Sequence, residues 1–262
     1  MRLTVTVAAA LALERAFGVG LDPLVMAHLC RDVEHHWAGV RCGIMDQVTS
    51  RLGQPDHALL IDCGKGSYRP VPLKLGDHEL VITDSGVRRQ LGDSAYNERR
   101  QECEQGLALL RRHDDVLGSL RDVTPELLAA HAGDLPPAIA DRCRHVVEEN
   151  ARVLAAEVAL AVGDVIALGN LMTLSHDSLR DLYQASQPVV DRLVATARAV
   201  PGVRGSRLTG AGWGGCTVTL CERGSAAILR ERLEQEIAAA GTPGSVMLAG
   251  RAAAAGVLED DG

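Results

Sequence analysis

Between Arg207 and Leu220 the chain reads Arg-Leu-Thr-Gly-Ala-Gly-Trp-Gly-Gly-Cys-Thr-Val-Thr-Leu, with four glycines inside residues 210–215 and a strand from Cys216 to Leu220 directly behind them. Glycines this dense let a backbone approach a phosphate, or another loop, more closely than side chains allow. The context excludes two familiar architectures. A dinucleotide-binding glycine loop is followed by a helix, and a Walker loop ends in Lys-Ser/Thr; neither holds here. A tight structural turn and a phosphate-side loop both remain open at this point.

At 262 residues the chain is long enough for one large or two modest domains with a substantial core. Its net charge of -7 and pI near 5.7 argue against nucleic acid or an anionic membrane as the main partner, while leaving room for a local basic pocket. Aromatic residues make up only 2%, too few for the stacking platforms of single-strand binders. The seven cysteines are scattered and form no Cys-x-x-Cys pair, so they indicate neither a zinc site nor a disulfide framework. Reduced thiols and a cytoplasmic location are expected.

The apolar run Leu3–Leu13 resembles a short secretory signal, but Glu14-Arg15 follow at once and the helical pattern continues to Phe17 before Gly18. A buried helix explains it better. No capping residue precedes it, which leads us to expect a missing upstream partner. Asp22-Pro23 is a helix start, with Asp as N-cap and Pro at the first position. Val25, Leu29, Val33 and Trp37 then form an apolar ridge, and the helix is expected to end at Gly39.

Glu34 lies beside that ridge, and Cys42-Gly-Ile-Met-Asp-Gln47 follows. Gly43 permits a sharp turn that aims Asp46 outward, so Asp46 is the candidate carboxylate for orienting or deprotonating a substrate hydroxyl. The plainer readings make Asp46 an N-cap and Glu34 part of a solvated helix face. Two carboxylates near one turn also suit a metal and a base.

Strands are expected at 57–63, 68–73 and 79–83, the first two joined by Gly64-Lys-Gly66. A helix is expected over 94–112, with Tyr96 at its start as a ring that either fills core or lies along a sugar. Residues 124–137, with three of the ten prolines, read as loop. Beyond them come a long helix over 137–162 closed by Gly163, a helix capped by Asp164, a helix over 225–240 and a strand over 245–250. His176, beside Ser175, reads as a hydrogen-bonded structural residue or else as a base.

Several of these motifs carry a resemblance in order. Cys42-Gly-Ile-Met-Asp-Gln47, His57-Ala-Leu-Leu-Ile-Asp-Cys63, Ser94-Ala-Tyr-Asn-Glu-Arg-Arg100 and Leu208-Thr-Gly-Ala-Gly-Trp-Gly-Gly-Cys216 resemble segments of the galactokinases, a branch of the GHMP family of small-molecule kinases. Residues 145–152, with Ser175-His176, Ser178-Leu-Arg180, Tyr183, Ser186, Pro188 and Asp191, resemble the stretch that separates that branch from mevalonate and homoserine kinases. The resemblance implies an α+β, two-domain fold, with 1–76 and 77–262 as its domains and the active site in the cleft between them. It implies ATP as phosphoryl donor, Mg2+, and galactose phosphorylated at its anomeric hydroxyl. By the match Asp46 is the catalytic carboxylate, Glu34 the magnesium ligand, and Gly43 and Tyr96 contact the sugar. Gly210, Ala211, Gly212, Gly214 and Gly215 line the phosphates. The complete protein is expected to be a monomer without nucleic-acid or membrane partners.

The departures give rise to expectations of their own. The family's N-terminal sugar motif and its glycine-serine phosphate loop are not found in the sequence, and Leu3–Leu13 resembles the helix that follows that loop. Little activity is therefore expected of the chain as written, with Val5, Val7 and Leu11 exposed. A catalytically silent sugar-sensing or partner-binding homologue, and a GHMP kinase for another sugar, stand as alternatives.

Overall fold

A computed structural model describes residues 3–37, 43–88 and 94–248. These fall into two compact units divided between Lys74 and Leu75, against the expected border at 76/77. The expected helix end at Gly39, Cys42 of the Asp46 motif, and the end of the closing strand at 249–250 lie outside the described residues.

The first unit contains α1 (Leu3–Phe17), α2 (Pro23–Trp37), α3 (Met45–Leu52) and the hairpin of β1 (His57–Asp62) with β2 (Ser67–Pro72). Gly18, at φ 64°, stops α1. The Glu14 carboxylate reaches forward to accept from Leu21 N at 2.9 Å, fixing the link to α2. Asp22 caps α2 as its position foretold, its Oδ1 accepting from Leu24 N at 2.9 Å and Val25 N at 3.1 Å.

The ridge on α2 does not face the core. Val25, Leu29, Val33 and Trp37 are exposed, and the adjacent stripe of Met26, Ala27, Cys30 and Glu34 is buried instead. Apolar spacing marks a face without saying which neighbour covers it, and here Met26 and Cys30 meet Val7 and Leu11 of α1. Of the three α1 residues expected to lose their partners, Val7 and Leu11 are buried and only Val5 is exposed.

In the β1–β2 hairpin Ile61 pairs with Tyr68 and Asp62 with Ser67. Asp62 Oδ1 accepts from Gly64 N and Lys65 N, and Gly66 takes φ 63°, so the Gly-Lys-Gly turn is built around the Asp62 carboxylate.

The second unit opens with β3 (His78–Asp84), which belongs to a separate antiparallel sheet in the order β4 (Val203–Thr209), β5 (Cys216–Glu222), β3, β6 (Ser245–Leu248). Between β3 and the rest of that sheet lie α4 (Ser94–Leu110), α5 (Pro125–His131), α6 (Pro137–Val162), α7 (Val165–Asp181) and α8 (Pro188–Arg198). Then follow β4, β5, α9 (Ala226–Ala240) and β6. Helices α8 and α9 cover the sheet, burying Leu193, Leu229 and Leu233 completely against Val81 and Cys221. Each such leucine contributes about 1.5–3 kcal/mol relative to an exposed one. A second core joins Leu110, Leu117, Leu120 and Leu128 to Ile139 and Val147 of α6.

Helix α7 meets β4 where Gly169 and Gly205 face each other. A Cβ on Gly205 would stand 2.1 Å from Gly169 O, so the helix crosses the strand backbone to backbone.

The loop expected over 124–137 is largely helical. Thr124 Oγ1 accepts from Leu127 N at 3.1 Å and Pro125 takes the first helical position, so the proline that reads as a breaker is a helix start. Helix α7 runs on to Asp181, which places Ser175, His176, Ser178 and Arg180 on one helix. Helix α8 was not anticipated, and it too begins with its proline. Among the described residues no helix is long and apolar enough to cross a membrane.

Candidate active site

Asp46 lies in the first turn of α3, behind Met45, and the N-cap is Ile44 with no side-chain cap bond. The capping reading of Asp46 is therefore incorrect, because its carboxylate is not spent on the helix end. The side chain is exposed. The protein mass around it still holds its carboxyl above the ordinary carboxylate range, partial desolvation being the larger cause and the nearby charge of Glu34 adding to it.

Glu34 is not on a solvated face. It is 5% exposed, and its Oε1 accepts a hydrogen bond from Thr6 Oγ1 at 2.7 Å. The two carboxylates expected to act together are thus electrostatically coupled within the first unit, one buried and one exposed.

Gly43 departs from expectation. Its φ lies outside the left-handed region and a Cβ there would meet nothing within 4 Å, so the turn does not need glycine for its shape. What secures it is Gln47, wholly buried, whose side-chain amide lies 3.2 Å from Gly43 O and Ile44 O and satisfies both carbonyls with its nitrogen turned toward them.

In the second unit the glycine-rich loop is constrained from two sides. Trp213 N donates to Ala185 O at 2.7 Å, and Gly215 N donates to Val87 O at 3.1 Å. Gly212 (φ 88°) and Gly214 (φ 125°) are required by this clamp, because a Cβ would stand 2.3 Å from Ala185 O in the first case and 2.7 Å from Val87 O in the second. Gly210 and Gly215 take left-handed φ as well, but a Cβ on either meets nothing within 4 Å. Gly210 and Ala211 form an exposed lip. Gly212 and Gly214 therefore serve the turn, while the lip at 210–211 is open. Tyr96, partly exposed at the start of α4, sets its ring edge-on to Trp213 at a centroid distance of 6.5 Å.

Buried polar residues hold this arrangement. Arg142 of α6 is 3% exposed and donates from Nε to Glu102 Oε2 at 2.9 Å, from Nη1 to Leu182 O, and from Nη2 to Gln184 Oε1 at 2.7 Å. One guanidinium thus joins the helix of Tyr96 to the 182–185 turn that clamps Trp213. Sequence reasoning passed over it; the available signal was an arginine within the buried stripe of Ile139, Cys143 and Val147.

His176 of α7 is fully buried, and its Nδ1 accepts from Leu208 N at 3.3 Å at the base of the loop. Burial pulls its pKa down to about 4, so the ring is neutral and its proton sits on Nε2, which faces Asp191 Oδ1 at 3.4 Å. Ser186 in turn donates to that Asp191 oxygen. This is the structural, hydrogen-bonded role that the sequence suggested for His176.

Further along, His145 Nδ1 pairs with Ser178 Oγ at 2.8 Å, and Arg152 donates to the same oxygen at 3.0 Å. Glu149 accepts from Ser175 and, at 2.7 Å, from Arg152. Burial opposes its charge, but those bonds and the Arg207 charge hold its carboxyl below the usual range.

The expected site residues therefore form two local groups, Glu34 with Asp46 in the first unit, and Tyr96 with the 210–215 loop in the second.

The chain matches the GHMP kinases N terminal domain over residues 4–54 and the GHMP kinases C terminal domain over 156–239. It is 49% identical over 210 residues to a galactokinase of Roseiflexus sp. (strain RS-1), covering 80% of this chain and 54% of the relative. To a galactokinase of Thermotoga neapolitana it is 41% identical over 227 residues, covering 87% and 62%. The chain thus spans only about half to three fifths of the length of these relatives. Among solved structures, Lactococcus lactis galactokinase complexed with galactose superimposes with a TM-score of 0.88 at 30% identity, over 95% of this chain and 64% of that one. Matched by models of both halves of the family, which together take in just over half of its residues, the chain belongs to the GHMP kinases.

Proposed function

We propose that this chain carries the chemistry of galactose phosphorylation, the transfer of the γ-phosphoryl group of ATP to the anomeric hydroxyl of galactose. The observation that carries the reading is the similarity to a galactokinase solved with galactose, at a TM-score of 0.88 and 30% identity. We assign residues 1–76 to the family's N-terminal domain and 77–262 to its C-terminal domain, in a monomer working in the cytoplasm.

Asp46 is the orienting carboxylate and base. Its exposure lets a sugar hydroxyl reach it, and its raised pKa makes it a stronger proton acceptor than an ordinary aspartate. The hydroxyl proton passes to a carboxylate oxygen of Asp46 as the sugar oxygen forms its bond to the γ-phosphorus of ATP, the bond from that phosphorus to the β,γ-bridging oxygen breaks, and ADP leaves with the electron pair. Gly43, exposed and without a side chain, gives the sugar room beside that carboxylate. Tyr96 offers a partly exposed ring for a second sugar face.

In the glycine loop the amides of Trp213 and Gly215 are committed to Ala185 and Val87, so phosphate contact falls to the open lip and the amides between. We therefore assign Gly210, Ala211, Gly212, Gly214 and Gly215 to the ATP side, some as contacts and some as scaffold. Glu34 is an oxygen donor of the kind Mg2+ takes, and its burial with Thr6 gives it a fixed direction. Mg2+ held there would screen the negative charge of the transferred phosphoryl group.

The test is ADP release with MgATP and a panel of galactose, glucose, mevalonate and homoserine, using the protein as its full reading frame encodes it. A rate that depends on galactose and vanishes with the other acceptors is expected. A preference for another acceptor overturns the substrate, and ADP release indifferent to all four overturns the reaction.

A further inference from the structure

The second unit carries a cluster that phosphoryl transfer does not use. His113 lies just past the end of α4, with its backbone N donating to Leu110 O at 3.0 Å. His131 is the last residue of α5, and Asp134 ends the 3-10 turn that follows. These three positions are distant in the chain, but the folded helices bring them to one place.

Asp134 Oδ2 stands 3.1 Å from His113 Nε2 and 3.4 Å from His131 Nδ1. Two histidines and one carboxylate each present a ligand atom, and all three atoms lie within 4.8 Å of one another. Atoms bound at about 2.0–2.2 Å in a tetrahedral shell stand roughly 3.3 Å apart, which matches both measured separations. The imidazole rings stack 3.7 Å apart at 15°. A ligating ring keeps the ion in its own plane, so loading must tilt the two rings apart. The side chains are exposed enough to do so, at 32% for His113, 29% for His131 and 58% for Asp134.

We propose that His113, His131 and Asp134 form a binding site for a divalent transition-metal ion of the zinc class, with water completing the shell. Two imidazoles and one carboxylate suit Zn2+ rather than Mg2+, which takes oxygen ligands and keeps its waters. The site is thus chemically distinct from any magnesium bound with ATP. Its location gives it a structural role: the ion ties the exit of α4 to the exit of α5, on the rim of the core built from Leu110, Leu117, Leu120 and Leu128. The cysteine pattern could not reveal such a site, because none of its ligands is a thiol.

The experiment is a Zn2+ titration against a chromophoric chelator, with magnesium present in excess and the protein in its full reading frame. The exposed thiol Cys63 is replaced by serine in every sample to remove its own affinity for zinc. One equivalent is expected to bind and to raise the melting temperature. Asp134→Asn and His113→Ala should each weaken that binding by at least about tenfold and abolish the thermal shift, while melting like the parent without zinc. If His113→Ala fails to fold, the isosteric Asp134→Asn decides alone. An absence of saturable binding, or binding equally tight in Asp134→Asn, overturns the proposal and leaves the cluster as an aspartate bridging two stacked histidines.

Discussion

The turn that presents Asp46 and the loop at 210–215 are both glycine-containing, and they are built on opposite principles. Around Asp46 the glycine is replaceable in shape: Gly43 has ordinary backbone angles and empty space where a Cβ would go, and the turn is fastened by the buried amide of Gln47. In the loop the glycines are compulsory, since Gly212 and Gly214 are pressed against the carbonyls of Ala185 and Val87. The first turn fixes one carboxylate while leaving its surroundings open. The second fixes a stretch of backbone and enlists the buried Arg142 of α6, with its partner Glu102 of α4, and the buried His176 of α7 to do it. An open turn beside an exposed carboxylate leaves room for a ligand, whereas a turn whose glycines are jammed belongs to the scaffold.

The largest effect should come from the open turn. Asp46→Asn is expected to lower galactose-dependent turnover by about 10²- to 10⁴-fold, the span of a general base. Its melting temperature should hardly move, because the carboxylate caps nothing and is exposed. In the parent protein kcat/KM should rise with pH through a midpoint above the ordinary carboxylate range, since only the ionised form accepts a proton. Undiminished turnover on folded protein would falsify the assignment.

On the scaffold side, Arg142→Met should cost about 3 kcal/mol, the lower end for breaking a buried ion pair, because Glu102 keeps some solvent contact. Chemical denaturation measures it. A loss below about 0.5 kcal/mol, the level of an ordinary surface change, would show that the guanidinium does not hold the 182–185 turn.

Acid should strike the same scaffold through His176. Its folded pKa of about 4 lies below the unfolded value near 6.5, so the unfolded chain binds the extra proton and stability falls as pH drops through that window. The full difference is roughly 3 kcal/mol. His145, whose pKa is lowered by burial as well, acts in the same direction. Comparing the pH dependence of stability in the parent and His176→Asn isolates the term, and equal slopes between pH 6.5 and 4 would remove it.

These contrasts explain what the sequence could reveal. Local chemistry was legible wherever one residue decides the outcome: Asp22 as a cap, Gly18 and Gly163 as stops, and Asp164 opening α7. Proline misled when read as punctuation, since Pro125 begins a helix, and α8, which Pro188 begins, was not anticipated. The α2 ridge misled because periodicity identifies a stripe, whereas burial depends on partners such as Val7 and Leu11 that only the fold selects. Asp46 and the glycine loop stood out as candidates because each lies in a contiguous motif, and Glu34 because it sits on the helix just ahead of the Asp46 turn. Arg142, and the cluster of His113, His131 and Asp134, were not, because their partners come from elements far apart in the chain.

The smallest effects give the sharpest test, because the two kinds of turn predict opposite signs for the same substitution. Gly212→Ala places a Cβ 2.3 Å from Ala185 O on a residue held at φ 88°. Either the loop backs away from its clamp or the residue bears the strain, and a loss of about 1–3 kcal/mol is expected. Gly43→Ala meets no neighbour and needs no left-handed angle, so it should leave stability unchanged or raise it by about 0.4–1 kcal/mol through the unfolded chain. If the sugar packs against Gly43, that same variant should raise KM for galactose while leaving KM for ATP alone, a loss without any structural cause. Denaturation curves and substrate titrations on the two variants separate the outcomes. Should Gly43→Ala destabilise the protein as Gly212→Ala does, the two turns are not different in kind; should it leave both stability and the galactose KM untouched, Gly43 is not at the sugar.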